Sequence, residues 1–120
     1  MGWVAKLFGG GVPSVDAVAA RQLVDDGAAM LDVRTTSEWN AGHAPFATHV
    51  PLHELGTRLG RIPRTTTVVV VCRSGNRSRR ACRQLTAAGY DAVNLRGGMS
   101  AWQRTGQPVV SRAGRPGGVV

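Results

Sequence analysis

At 120 residues, with 42% hydrophobic and 18% charged side chains, the chain has the size and balance of one globular domain with its own core. It therefore needs no disulfide or metal staple. The formal net charge of +8, from fifteen Lys and Arg against seven Asp and Glu, predicts a surface that attracts anions: small oxyanions, nucleic acid or an acidic partner.

Fourteen of the fifteen basic residues are Arg and only Lys6 is lysine, a bias that a GC-rich genome alone can produce. Cys72 and Cys82 lie ten residues apart, with no CxxC and no histidines spaced for zinc. They read as two thiols in a reducing compartment, which implies a cytoplasmic location and neither metal nor cofactor.

The opening MGWVAKLFGGGVP does not read as a signal peptide, because Gly9, Gly10 and Gly11 break its apolar run and no A-x-A-like site follows. No stretch approaches the roughly 20 apolar residues of a spanning helix. Lys6 stands where a myristoylation signal needs Ser or Thr. Trp3, Val4, Leu7 and Phe8 form a small apolar set. Docking on the domain or partial disorder is the plain expectation; pairing of two copies or contact with a membrane surface are the alternatives.

Further along, Ser14 has the chemistry of an N-cap, with Asp16 in the first turn of a helix carried by Val15, Val18, Ala19, Leu23 and Val24 and ended by Gly27. Ala28 to Val33 predicts a buried strand. Thr35 to Trp39 predicts a short helix or turn closed by Gly42, and His53 to Leu59 another short helix. Val68 to Val71 gives the strongest strand signal: four valines, apolar on both faces, predict a central parallel strand. Ser78 to Ala88 predicts a helix with Ala81, Leu85 and Ala88 inward and Arg79, Arg80 and Arg83 outward, capped by Gly89. Ala92 to Leu95 predicts a last strand, and Gly97-Gly98 opens a final helix through Met99 and Trp102. Strands alternating with helices predict an α/β fold, a small, mainly parallel central sheet with helices on both faces. The organisation is an apolar, Gly-rich segment over residues 1–13, a folded domain over 14–107 and a disordered Gly, Pro and Arg tail over 108–120.

The stretch VVVVCRSGNRS then reads as strand, tight loop, helix. Ligands of open α/β sheets bind at the carboxyl ends of strands, where Cys72 sits. Gly75 permits the φ values needed for the backbone N–H groups of the loop to point inward, and the helix behind adds free N–H groups and its positive dipole end. The result is an anion cradle with a sulfur at its bottom, formed by Cys72, Arg73, Ser74, Gly75, Asn76, Arg77 and Ser78. Such a cradle favours a thiolate and a covalent nucleophile role for Cys72, with Arg73 and Arg77 as rim charge. A cysteine at a strand end is commonly just a small hydrophobe. The surrounding Arg, Gly, Asn and Ser argue against that for Cys72. Cys82, one turn inside the helix beside Ala81 and Leu85, reads as structural.

These motifs resemble a single-domain rhodanese, a sulfurtransferase. The carriers are LDVRTTSEWNAGH (Leu31 to His43), HVPL (His49 to Leu52), VVVVCRSGNRS (Val68 to Ser78) and GYDAVNLRGGMSAW (Gly89 to Trp102), in family order over roughly residues 14 to 106. The resemblance implies that Cys72 attacks a sulfane donor such as thiosulfate, forms a persulfide and passes the sulfur to a thiol or protein acceptor. It implies that the loop N–H groups hold the persulfide while Arg73 and Arg77 orient a small anionic donor. Asp32, Arg34 and Glu38 match a family pattern and are expected to form a structural ion-pair cluster; His43 and His49 are expected to fix loops by hydrogen bonds. Family members usually carry Pro-Gly-Ala between those histidines. Here the step is Pro45, Phe46, Ala47, and Phe46 is expected to line the entrance or cover a partner surface.

Three rival readings remain. A Cys-dependent phosphatase of related fold resembles C-x5-R, whereas four residues separate Cys72 from Arg77 here. A non-catalytic sulfur-carrier or interaction module has no need of the intact cradle. Nucleic-acid binding has few aromatics and no RNA-binding motif behind it, so Arg79, Arg80 and Arg83 read better as a solvated face able to dock an acidic sulfur acceptor.

Overall fold

A computed structural model describes residues 11–120. The apolar set from Trp3 to Phe8 lies outside the described residues. In chain order the elements are β1 (Ser14–Val15), α1 (Ala17–Asp25), β2 (Ala29–Asp32), α2 (Thr36–Ala41), β3 (Thr48–His49), the 3-10 turns Leu52–Thr57 and Leu59–Arg61, β4 (Val68–Val71), α3 (Asn76–Ala87), β5 (Ala92–Leu95) and α4 (Gly98–Arg104). The strands pair in the order β1-β5-β4-β2-β3, all parallel. The valine strand is thus the middle of the sheet.

Its alternation divides the core. Val68 and Val70 face Leu55, Ala81, Cys82 and Leu85 on the α3 side. Val69 and Val71 face Ala17, Ala20, Met99 and Trp102 on the α1 and α4 side. Burying each such valine contributes about 1.5–3 kcal/mol, which explains why β4 carries no polar residue. Among the described residues no helix is long and apolar enough to cross a membrane.

Three local expectations are corrected. Ser14 is not a helix cap: it pairs with Asn94 in β1, and Asp16 caps α1 by accepting from the Ala19 N–H at 2.8 Å. The helix behind Cys72 starts at Asn76, directly after Gly75, so Arg77 and Ser78 are both in its first turn. The helix predicted over His53 to Leu59 is two 3-10 turns, Leu52–Thr57 and Leu59–Arg61, since Gly56 weakens it from within and Gly60 follows at its end.

The tail also departs from expectation. His43 and Val110 exchange backbone hydrogen bonds at 2.9 Å in both directions. Arg112 N–H donates to Asn40, and Gly118 N–H to Ala41. A Cβ on Gly42 would collide with the Gly118 carbonyl, although Gly42 is itself extended. Glycines that read as disorder in sequence here allow one backbone to lie directly on another. Phe46 is 41% exposed and packs edge-on against Trp102 at 5.8 Å, with the Arg21 guanidinium 5.5 Å from its ring. It precedes the amino end of β3 in a parallel sheet, the opposite edge from Cys72, so it does not line the entrance.

Candidate active site

Cys72 follows the last valine of β4 and is 1% exposed. Its carbonyl accepts from Met99 N–H at 2.8 Å and that of Arg73 from Ser100 N–H at 3.1 Å, so the first turn of α4 anchors the start of the loop. Gly98 makes this possible. Its φ is +57°, and any Cβ there would strike both carbonyls. Gly75 turns the loop at φ +123° and donates its N–H to Cys72 Sγ at 3.1 Å. Ser78 Oγ sits 3.3 Å from the same sulfur.

Burial pushes the Cys72 thiol up, and that is the largest single influence. The Ser78 side chain and the backbone N–H groups of Ser78, Gly75 and Ser74 together outweigh it and bring the thiol below its ordinary value. Burial dominates at Cys82, which has no such donors, and pushes it up to about 12 against the opposing charges of Arg83 and Arg79. The two cysteines are both free and buried, but only Cys72 is prepared as a nucleophile.

The loop arginines have different surroundings. Arg73 is exposed and donates through Nε to the Val120 carbonyl at 2.8 Å. Arg77, expected as rim charge, grips Glu38 instead: Nη1 to Oε1 is 2.6 Å and Nη2 to Oε2 is 2.9 Å. The hydrogen bond from Arg77 is the main cause that holds the Glu38 carboxyl at about 2, and the carboxylate in turn raises the guanidinium. Ser74 and Asn76 are exposed, and Ser78 is buried.

The expected cluster of Asp32, Arg34 and Glu38 is therefore divided. Asp32 and Arg34 form a fully buried pair, Nη2 to Oδ2 at 2.7 Å, and Arg34 also donates to the Gly42 carbonyl at 2.7 Å. Glu38 instead faces the cradle, because the Thr35 capping box sets it at the start of α2. His43 Nδ1 bonds the Trp39 carbonyl at 2.7 Å and His49 Nε2 the Arg34 carbonyl at 2.8 Å. Trp39 stacks on both imidazoles, at 3.6 and 4.8 Å. Among the described residues no three His, Cys, Asp or Glu gather to hold a metal.

Sequence reasoning missed Asn94. It is 1% exposed and its Oδ1 accepts from Ser78 Oγ. The available signal was a lone amide in the buried strand AVNL.

Comparisons with known proteins agree with this geometry. The family model of the rhodanese-like domain matches residues 16–105. A sulfurtransferase of Allochromatium vinosum is 44% identical over 86 residues, covering 71% of this chain and 80% of that protein. The crystal structure of a rhodanese-related protein from Thermoplasma volcanium superposes with a TM-score of 0.76 at 30% identity, covering 82% of this chain and 97% of that one. The thiosulfate sulfurtransferase of Pseudomonas aeruginosa superposes with a TM-score of 0.76 at 27% identity, covering 98% of this chain and 23% of that one. A strand-end cysteine in a short cradle, on an all-parallel five-strand sheet, belongs with the match over residues 16–105: the chain is a member of the rhodanese-like family of sulfurtransferases.

Proposed function

We propose that this protein moves sulfane sulfur from an anionic donor, thiosulfate being the type, to a thiol acceptor through a persulfide on Cys72. The observation that carries the reading is the cradle: Sγ accepts from Gly75 N–H at 3.1 Å, lies 3.3 Å from Ser78 Oγ, and its thiol is held below the ordinary value. The Cys72 thiolate attacks the outer sulfur of thiosulfate. The bond between the two donor sulfurs breaks and its electron pair leaves with sulfite. The new terminal sulfur carries the negative charge, and the N–H groups of the loop stabilise it. An acceptor thiolate then attacks that terminal sulfur, takes it as its own persulfide and returns Cys72 as thiolate.

Arg73 is the exposed loop arginine that no Asp or Glu side chain grips among the described residues, so it attracts the donor, while Arg77 braces the loop through Glu38. The exposed face of Arg79, Arg80 and Arg83 fits an acidic protein acceptor. A reducing compartment such as the cytoplasm keeps the thiol available. Mass spectrometry after thiosulfate treatment should find one added sulfur on Cys72. Unmodified Cys72, with a Cys72→Ser variant as active as wild type in sulfur transfer, would overturn the reading.

A further inference from the structure

The Ser78 hydroxyl has a single proton and faces three acceptors. These are the Gly75 carbonyl at 3.1 Å, Asn94 Oδ1, and Cys72 Sγ at 3.3 Å. Ser78 is 0% exposed and Asn94 is 1% exposed, so bulk water does not settle the choice. We propose that Asn94 is a positioning residue, whose buried amide decides whether the Ser78 proton points at Cys72 Sγ.

The two protonation states of Cys72 make opposite demands. When Cys72 is a thiol, its S–H can donate to Ser78 Oγ, and the Ser78 proton serves the Asn94 oxygen. When the thiol proton has left for solvent, a hydrogen bond to the charged sulfur is stronger than one to a neutral acceptor. The Ser78 proton then belongs on Sγ, which leaves an Oγ lone pair facing Asn94. A half-turn of the amide brings Nδ2 to that place as a donor. The far end of the amide meets Ser14 Oγ at 3.4 Å, a hydroxyl that can donate or accept, so both amide orientations are satisfied. The register of β1 on β5 places Ser14 there. A valine or leucine at position 94 would fill the strand without setting the proton.

The charged groups around Cys72 are its exposed chain neighbour Arg73, which donates to the Val120 carbonyl, and Arg77, paired with Glu38 and within the field of Asp32, itself paired with Arg34; Cys82 behind it on α3 stays a neutral thiol. These leave the Ser78 hydroxyl as the group whose orientation responds when Cys72 ionises. The inference rests on Cys72 being the reactive thiol of the proposed function, but its test needs no sulfur donor.

The experiment is the pH dependence of Cys72 alkylation by iodoacetamide, read by peptide mass spectrometry. Asn94→Ala and Ser78→Ala should each raise the midpoint by about one pH unit, and the double variant should rise no further than Ser78→Ala alone. Asn94→Asp, which keeps the packing and in its ionised form only accepts, should raise the midpoint more in wild type than in the Ser78→Ala background. A wild-type midpoint in folded Asn94→Ala overturns the proposal. So do shifts that add in the double variant, or an Asn94→Asp shift that is the same in both backgrounds. A failed persulfide assay alongside the expected midpoints would reject the sulfur-transfer reading and leave this one standing.

Discussion

Arg77 in the first turn of α3 and Glu38 in the first turn of α2 form a two-pronged ion pair at 2.6 and 2.9 Å, and this pair ties the loop around Cys72 to a helix 39 residues away in sequence. The same Glu38 accepts from Thr35 N–H at 3.1 Å. One carboxylate thus closes a helix cap and holds the cradle.

Replacing Glu38 with Gln keeps the capping geometry and removes the charge. Because both side chains are partly exposed, the cost at neutral pH should be below about 1 kcal/mol. The folded carboxyl sits at about 2, against an unfolded value of about 4.3, so the stabilisation is complete above the unfolded value and disappears as pH falls toward 2. Urea unfolding of wild type and Glu38→Gln should differ at pH near 7 and converge at about pH 2 to 3. A gap that widens in acid would contradict the pairing.

The two loop arginines should separate kinetically. Arg73→Ala should raise the KM for thiosulfate by roughly tenfold, the worth of one lost charge-assisted hydrogen bond, while sparing a neutral sulfur donor. Arg77→Ala should lower kcat for both donors, because it loosens the loop rather than removing a donor contact. Steady-state kinetics with one dianionic and one neutral donor distinguishes them, and identical profiles for the two variants would refute the assignment.

Gly98 and Gly27 provide a matched pair. Both have positive φ, +57° and +109°, but a Cβ on Gly98 strikes the Cys72 and Arg73 carbonyls whereas Gly27 faces open space. Gly27→Ala should cost about 1–2 kcal/mol of stability from backbone strain alone. Gly98→Ala should cost more than that and also abolish sulfur transfer, since the Met99 and Ser100 donors can no longer reach the loop. Denaturant midpoints alongside activity test this. An active Gly98→Ala protein would show that the anchor is dispensable.

Phosphate esters should not be turned over. Four residues lie between Cys72 and Arg77, and Gly75 N–H already sits 3.1 Å from the sulfur. That leaves the cradle close around a single sulfur atom rather than a phosphoryl group. Hydrolysis of p-nitrophenyl phosphate that depends on Cys72 would reverse the conclusion.

The tail makes its own prediction. Gly42→Ala should expel the Gly118 backbone and free the hydrogen-bonded turn at Arg112–Ala113 for cleavage by trypsin, with little effect on the core. Limited proteolysis followed by mass measurement reports it, and unchanged resistance would mean that the tail docks without Gly42.

What could be read from the sequence had local causes. Four valines declare a two-sided strand, and a glycine three residues after a cysteine declares a turn. The Cys72 loop follows from those signals alone. The partners of that loop do not. Glu38 finds Arg77, Ser78 finds Asn94, and Ala41 finds Gly118 through contacts set by how strands and helices stack, which no nearby pattern encodes. Ser14 misleads for a related reason. Serine suits a cap and an edge strand alike, and pairing with Asn94 eighty residues on decided between them.

That distant pairing also fixes an order of assembly. β5 and α4 are the last of the regular elements to leave the ribosome, yet they supply Asn94 behind Ser78 and the Met99 N–H on the Cys72 carbonyl. A nascent chain that has emerged only as far as α3 therefore carries Cys72 without the Asn94 amide and without the Met99 anchor. Both arrive with the closing strand and its helix, and parallel pairing across such separations is slow compared with helix formation. The loop thus gains its full backing only when the sheet is whole.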